Sequence, residues 1–323
     1  MSTPLLAVHG LNVSYAVRRR KLHALSDVSL DVEAGETLGV VGESGSGKST
    51  LARAILRLIQ VTSGQIHWRG SDWLQHSVRA LRPLRRDVQI VFQDPFASLD
   101  PRMTLGAAVA EPLHVFRPEL TASEREHEVA RVLERVGLGA ALMNRYPHEF
   151  SGGQCQRVAI ARAIIVKPRL LVCDEPVSAL DVSIQAQIVN LLRDLQAELG
   201  MSMIFISHNL AVVRRISDRA LVLYLGRTME LATRDALFKS PRHPYTRALL
   251  DSVPAPIIRA RRDAARLVAS EMPAPLDPPS GCVFHTRCPF AIGRCRQEVP
   301  QLELAGAGQQ VACHRWRDLA GGD

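Results

Sequence analysis

The stretch Gly42-Glu43-Ser44-Gly45-Ser46-Gly47-Lys48-Ser49 decides the fold, because it fits the pattern G-x-x-x-x-G-K-[ST]. Residues 36–41 before it are apolar and β-branched and predict a buried strand, and a helix is expected over about 48–58. The glycines let successive backbone N–H groups face a phosphate, and the helix N-terminus adds its positive dipole end. We therefore expect Lys48 to reach β- and γ-phosphates and the Ser49 hydroxyl to coordinate Mg²⁺.

Two neighbouring acids follow a second apolar run at residues 170–173. Asp174 at the predicted strand end can hold Mg²⁺, directly or through water, which a magnesium–nucleotide site requires. Glu175 points elsewhere and can polarise an attacking water as general base. Taken alone, the pair fits two solvated acids after a strand equally well.

The remaining chain predicts an α/β fold with an inserted helical region. Apolar runs at 88–92, 203–206 and 220–225 predict further strands, and such runs separated by helices favour a mostly parallel sheet covered on both faces. Between about residues 99 and 168 the pattern becomes helical. Thr121 and Glu124 have the spacing of a capping box there. A second helix is expected over 152–166, so we interpret this region as a subdomain inserted between strands.

Length and composition limit the classes of protein to which the chain can belong. The chain has 323 residues, about two domains, and its 46% apolar and 22% charged residues exclude a disordered tail, a collagen and a coiled-coil rod. The net charge of +8 suits nucleic acid, anionic lipid or a phosphorylated ligand, and equally a soluble protein rich in arginine. No apolar run reaches about 20 residues, and no signal peptide is recognisable. A cytoplasmic location is the default, so the cysteines are interpreted as thiols or metal ligands.

Further motifs resemble those of the ATP-binding-cassette family. Residues 150–154, Phe-Ser-Gly-Gly-Gln, are similar to its Leu-Ser-Gly-Gly-Gln signature, and Gln93 follows a predicted strand as its Q-loop glutamine does. Residues 178–181, Ser-Ala-Leu-Asp, match its D-loop, and His208 matches its switch histidine. Tyr15 is placed as its adenine-stacking aromatic. The resemblance covers about residues 5–250 and includes the motifs in order.

The resemblance implies a P-loop NTPase fold of the cassette type, a mixed sheet with N-terminal antiparallel strands and the inserted helical subdomain. It implies that two cassettes pair head to tail with ATP between them, each signature capping the partner's nucleotide. The catalytic residues it implies are Glu175, His208 and Gln93, and the Mg²⁺ ligands are Ser49, Gln93 and Asp174. The ATP-binding residues it implies are Tyr15, Gly42, Glu43, Ser44, Gly45, Ser46, Gly47, Lys48, Ser49, Thr50, Gln93, Asp174, Ser151, Gly152, Gly153 and Gln154.

Four of the six cysteines lie in a small proline-rich C-terminal module, at Cys282, Cys288, Cys295 and Cys313. Such a module buries little core, so a metal centre could supply its folding energy. Zinc sites usually have more closely spaced cysteine pairs, whereas iron–sulfur clusters accept four cysteines at varied spacing. Ordinary thiols are the remaining alternative. The other two cysteines, Cys155 in a predicted helix and Cys173 in a predicted strand, are expected to be buried and not to be ligands.

A second resemblance concerns residues 241–250, Pro-Arg-His-Pro-Tyr-Thr-Arg-Ala-Leu-Leu, followed by a proline-rich stretch and Gly281-Cys282. This is similar to the C-terminal extension of dipeptide and oligopeptide importer ATPases, some of which bind a [4Fe–4S] cluster through four cysteines. It implies a cassette domain at 1–253, with its helical subdomain at about 99–168, and an extension at 254–323.

The implied function is ATP-driven import of dipeptides or oligopeptides. The implied partners are a second cassette ATPase, giving a heterodimer, two transmembrane permease subunits and an extracytoplasmic peptide-binding protein, with no nucleic acid. The chain would then lie on the cytoplasmic face of the inner or plasma membrane. The alternatives are a soluble cassette ATPase acting on nucleic acid or ribosomes, and the ATPase of a related nickel or opine importer.

Overall fold

The computed structural model describes residues 3–252 and 272–319. The chain divides into two compact units. The first unit comprises Met1–Val32, Thr37–Leu74 and Ser207–Asp323, and the second comprises Glu33–Glu36 and Gln75–Ile206. Within the described ranges, no helix has both the length and the apolar character needed to cross a bilayer.

An antiparallel sheet forms the N-terminal part of the first unit, with strand order β2-β1-β4-β5. Its central strand β1 alternates between buried residues such as Leu11 and Val13 and more exposed neighbours, as a sheet with one covered face requires. This confirms the expected N-terminal antiparallel strands. The strands are β1 (Leu6–Val17), β2 (Arg20–Val32), β4 (Ser63–Trp68) and β5 (Ser71–Asp72).

A second group of strands in the first unit runs in the order β11-β12-β10-β9-β3. Strand β3 pairs in parallel with β9, and the pairs β9–β10, β10–β12 and β12–β11 are antiparallel. The strands are β3 (Thr37–Val41), β9 (Arg219–Tyr224), β10 (Arg227–Thr233), β11 (Glu303–Gly306) and β12 (Gln309–Val311). Among its described residues, the helices of this unit are α1 (Lys48–Ile55), α7 (Leu210–Ile216), α8 (Arg234–Lys239), α9 (Pro244–Asp251), α10 (Gly293–Gln297) and α11 (Trp316–Leu319).

The second unit contains three parallel strands and the helical region. The strands β7 (Leu170–Asp174) and β8 (Ser202–Ser207) are buried at every residue, as expected for a parallel sheet covered on both faces, and β6 (Val88–Val91) pairs with β7. The helices are α2 (Val78–Leu84), α3 (Leu105–Phe116), α4 (Ala122–Arg135), α5 (Gly152–Ile164) and α6 (Val182–Leu199), with 3₁₀ turns at Ala140–Asn144 and Pro147–Glu149. Helices α3 to α5 lie between β6 and β7 in the chain, where the insertion is predicted.

The predicted strands are all present, and two predicted helices are shorter than expected. Helix α1 ends at Ile55 because Arg57 adopts a left-handed conformation with φ of 49°, which a continuing helix excludes. Helix α5 ends at Ile164 rather than at residue 166. The capping box of Thr121 and Glu124 is confirmed at the start of α4. The predicted domain boundary at 253/254 and the prolines at 254 and 256 lie outside the described residues.

Candidate functional site

The glycine-rich loop of the first unit connects the end of β3 to the start of α1. Lys48 is 4% exposed, and its ammonium group donates to the backbone oxygens of Gly42 at 2.8 Å and Glu43 at 2.9 Å. The lysine therefore closes the loop on itself. Gly47 has φ of 103°, and a Cβ there would lie 2.7 Å from the Ala24 oxygen, so only glycine fits this close approach.

The carboxylate pair lies at the end of β7 in the second unit. Asp174 is 3% exposed, and Glu175 follows it with φ of 49°, a left-handed conformation that a non-glycine residue rarely adopts. The amide of Gln93 lies 3.5 Å from the Glu175 carboxylate, at the outer limit of a hydrogen bond. The predicted Q-loop glutamine and the predicted general base are thus neighbours.

The signature residues form the start of α5. Ser151 accepts a hydrogen bond from the Gln154 backbone N–H at 3.4 Å, and the Gln154 side chain accepts one from the Ser151 N–H at 3.0 Å. This capping box holds the serine hydroxyl at the positive end of the helix dipole. A Cβ on Gly153 would lie 2.7 Å from Ile184 Cγ2, so α6 also requires this glycine, whatever the ligand.

His208 and Tyr15 are both in the first unit and both exposed. His208 follows β8, and the next residue, Asn209, caps α7 by accepting from the Ala211 and Val212 N–H groups. Tyr15 lies on β1 opposite Leu22 and is 37% exposed. An exposed ring and an exposed imidazole are accessible to a ligand, as their predicted contacts with adenine and with the γ-phosphate require.

The predicted nucleotide-site residues therefore divide between the units. The glycine-rich loop, Tyr15 and His208 belong to the first unit. The second unit contains Gln93, the two acids at the end of β7 and the signature residues 151–154. Their roles on a shared nucleotide stay predictions.

The four C-terminal cysteines line one largely apolar pocket of the first unit. Burial raises the pKa of the Cys282 thiol to about 11 and that of Cys288 to about 12, and it also raises the pKa of Cys313. His243, Phe284, His285 and His314 line the same pocket. The expected burial of Cys155 and Cys173 is confirmed, and both lie in the second unit, apart from this module.

The four cysteines share this pocket without forming a group that could hold a single metal ion. Across residues 3–252 and 272–319, no three His, Cys, Asp or Glu side chains form a group that could hold one metal ion. A zinc site needs its sulfur ligands about 2.3 Å from one centre. A four-iron cluster would instead take four thiolates, one from each of these cysteines.

Sequence reasoning missed two residues that contact the glycine-rich loop. The Tyr245 hydroxyl accepts a hydrogen bond from the Glu43 N–H at 3.0 Å, and the buried Arg287 pairs with the Glu43 side chain. Tyr245 belongs to the conspicuous His-Pro-Tyr stretch, which could have drawn attention to it. Arg287 carries no such signal.

Comparison with known proteins identifies the family of this chain. A family model for the ABC transporter matches residues 25–178, and one for the oligopeptide/dipeptide transporter C-terminal region matches residues 229–295. The oligopeptide transport ATP-binding protein OppF of Haemophilus influenzae is 50% identical over 319 residues, 96% of each chain. OppF of Salmonella typhimurium is 52% identical over 309 residues, covering 93% of this chain and 92% of that protein.

A solved structure agrees in fold. The dimeric ATP-binding cassette MJ0796, in a post-hydrolysis state bound to ADP and Pi, superposes with a TM-score of 0.66 at 30% identity. The match covers 71% of this chain and 98% of that one. The chain therefore belongs to the ABC transporter family of ATPases, in the group that carries the oligopeptide/dipeptide transporter C-terminal region.

Proposed function

We propose that this chain is the ATP-binding and ATP-hydrolysing subunit that energises import of dipeptides or oligopeptides through a separate membrane permease. The observation that carries the proposal is the loop of residues 42–49, closed by Lys48 at the start of a helix, which is built to hold phosphates. The relatives named oligopeptide transport ATP-binding proteins support the peptide class of cargo.

Each predicted residue has a physical role in this proposal. Lys48 balances phosphate charge, while Ser49, Gln93 and Asp174 hold Mg²⁺. Glu175 takes the proton of the attacking water. His208 contacts the γ-phosphate and Tyr15 stacks on adenine. The nucleotide of this chain is also bound by the loop glycines and serines, with Glu43 and Thr50. The partner cassette's nucleotide is capped by Ser151, Gly152, Gly153 and Gln154.

The proposed assembly places the chain at the cytoplasmic face of the inner or plasma membrane. Its partners would be a second cassette ATPase, two permease subunits and an extracytoplasmic peptide-binding protein. A cassette ATPase acting on nucleic acid or ribosomes would have the same loop, so the partners distinguish the two functions. Nickel and opine importers are distinguished only by their cargo.

Purification of the chain from membranes of its own host tests this proposal. We expect two permease subunits and a second cassette ATPase to co-purify, identified by mass, and a dipeptide or oligopeptide to stimulate ATP hydrolysis in the reconstituted complex. Lys48→Ala is the matched control, since it should keep the partners and lose hydrolysis. Recovery of ribosomal proteins or RNA instead of permeases would contradict the proposal.

We further propose that Cys282, Cys288, Cys295 and Cys313 hold a [4Fe–4S] cluster. The pocket that the four cysteines share supports this, because a [4Fe–4S] cluster takes four cysteine thiolates. A bound cluster would supply folding energy to the module and no step of phosphate chemistry. The two buried cysteines of the second unit, Cys155 and Cys173, are not ligands in this proposal.

Anaerobic purification tests the cluster. We expect brown protein with broad absorbance at about 400 nm and with roughly four iron atoms and four sulfide ions per chain. Replacing any one of the four cysteines by serine should bleach the colour, whereas the controls Cys155→Ser and Cys173→Ser should keep it. Stoichiometric zinc without iron, or no metal at all, would refute the cluster.

A further inference from the structure

An ion pair between a buried arginine and a half-buried glutamate joins the four-cysteine module to the glycine-rich loop. Arg287 Nη1 donates to both carboxylate oxygens of Glu43, at 3.0 and 3.1 Å, and lies 3.3 Å from the Tyr224 hydroxyl. The Arg287 side chain is 3% exposed and that of Glu43 is 20% exposed.

The backbone of Glu43 is held as well as its side chain. Its N–H donates to the Tyr245 hydroxyl at 3.0 Å, and its carbonyl oxygen accepts from Lys48 Nζ at 2.9 Å. Tyr245, Tyr224 and Phe284 pack with ring centroids 4.7 to 5.3 Å apart, and all three are almost fully buried. A rigid aromatic cluster thus fixes the residue against which Lys48 rests.

The arginine is placed by a short segment bounded by two of the cysteines. Between Cys282 and Cys288 the chain is wound in turns, with the His285 N–H bonded to the Cys282 oxygen at 2.9 Å and the Arg287 N–H to the Phe284 oxygen at 3.0 Å. The guanidinium lies 5.9 Å from the centroid of the Phe284 ring, which itself lines the cysteine pocket. A change at the cysteines that altered these turns would therefore move Arg287.

We propose that Arg287 is a positioning residue for the ATP phosphates, and that through it the four-cysteine module sets the conformation of the glycine-rich loop. The connection runs from the Cys282–Cys288 turns to Arg287, from Arg287 to Glu43, and from the Glu43 carbonyl to Lys48. This inference rests on the proposed ATP-binding function, and it adds a dependence of nucleotide affinity on the C-terminal module.

A pair of variants separates positioning from mere stabilisation. Arg287→Met leaves the half-buried Glu43 carboxylate without its cationic partner, whereas replacing both residues by neutral ones removes the unpaired charge. Arg287→Met should thus lower both the melting temperature and the nucleotide affinity. In the double variant Glu43→Gln/Arg287→Met we expect the melting temperature to recover while the affinity stays low.

The measurement is titration of the full-length protein with a fluorescent trinitrophenyl-ATP in the presence of Mg²⁺. We expect Arg287→Met and the double variant to bind about 10- to 100-fold more weakly than wild type. Arg294→Met, an exposed arginine of the same module that pairs with Glu298, is the matched control and should bind normally. Affinity that recovers together with stability in the double variant would overturn the proposal.

A variant of Lys48 distinguishes failure of this inference from failure of the proposed function. Lys48→Ala should abolish binding in the same titration, so unaltered affinity of Arg287→Met beside a defective Lys48→Ala refutes this inference and leaves the proposed function intact.

Cys282→Ser should weaken binding in the wild-type background and cause no further loss in the Glu43→Gln/Arg287→Met background. An equal loss in both backgrounds would refute the link to the cysteines, and Cys313→Ser gives the same comparison if Cys282→Ser does not fold.

Discussion

Glu175 adopts a left-handed backbone, with φ of 49°, directly after a strand whose residues are all buried. Such a conformation costs a non-glycine residue about 1–2 kcal/mol, and it persists only where the surroundings impose it. Its N–H is bonded to the Ile206 oxygen at 3.1 Å, and its own oxygen accepts from the Ser178 N–H and hydroxyl. The turn therefore holds the Glu175 backbone, from which the carboxylate extends, at the end of β7.

Glu175→Gln tests the role of this carboxylate. The amide keeps the size and the backbone contacts but cannot take a proton, so we expect ATP hydrolysis to fall about 100-fold or more while ATP binding is retained. Measuring phosphate release and nucleotide binding on the same preparation separates the two effects. Hydrolysis near the wild-type rate would show that another group is the general base.

The two glycines of the signature differ in what surrounds them. Gly153→Ala places a Cβ 2.7 Å from Ile184 Cγ2, so we expect a loss of about 1–3 kcal/mol in the free energy of unfolding. Gly152→Ala is the matched control, because its nearest contact would be an ordinary 3.5 Å to Leu180. Thermal melts of both variants give the comparison. Adding Ile184→Ala should rescue Gly153→Ala, and equal stability of the two single variants would contradict this packing.

At the scale of the element, α4 depends on its capping box. Thr121 Oγ1 accepts from the Glu124 N–H, and the Glu124 carboxylate accepts from the Thr121 N–H at 2.7 Å. The hydrogen bonds from the Thr121 backbone and hydroxyl hold the pKa of Glu124 below its ordinary value. Because the folded pKa is depressed, this contribution to stability is present above the ordinary pKa of a glutamate and is lost as the pH falls through the folded value.

Thr121→Ala should therefore destabilise the start of α4 by about 1 kcal/mol near pH 7, and by less at a pH low enough to protonate Glu124. Hydrogen exchange of the amides of Ala122–Arg135 measures this local opening, and we expect roughly fivefold faster exchange near pH 7. Ser123→Ala, an exposed position on the same helix, serves as the control. Unchanged exchange in Thr121→Ala would show that the capping box does not limit fraying.

The elements that the sequence predicts are those formed by residues close together in the chain. Strands, capping boxes and the phosphate-binding loop depend on neighbours in the chain, so apolar runs and residue spacing predict them. The pairing of Arg287 with Glu43 joins positions 244 residues apart and leaves no local pattern. The end of α1 at Ile55 differs from the prediction for a related reason. No residue type at positions 56–58 excludes a helix, and the left-handed conformation of Arg57 has no local sequence signal.

At the scale of the whole molecule, head-to-tail pairing of two cassettes makes a distinctive prediction. Lys48→Ala should abolish nucleotide binding to this chain, whereas Ser151→Arg should impair turnover at the nucleotide held by the partner cassette. Photo-labelling of the purified complex with an azido-ATP, with the two ATPases resolved on a gel, reports which chain holds nucleotide. Ser123→Arg adds the same charge on an exposed helix and should change neither. Loss of labelling from this chain alone in Ser151→Arg would contradict the shared interface.

The pairing of β12 with β10 has a consequence for any shortened form of the protein. Glu230, Leu231 and Ala232 of β10 lie opposite residues 309–311, and Gln309 donates to the fully buried Glu230 carboxylate at 2.8 Å. In a chain cut after residue 252, the apolar strand β10 would lie at the edge of the sheet. Its unpaired N–H and C=O groups could then form hydrogen bonds with a strand of another chain. We expect that form to self-associate and aggregate as its concentration rises, measured by light scattering, where the full-length protein stays dispersed. Strand β12 thus protects the sheet edge, and a truncated form that stays dispersed at the same concentration would show that β10 needs no cover.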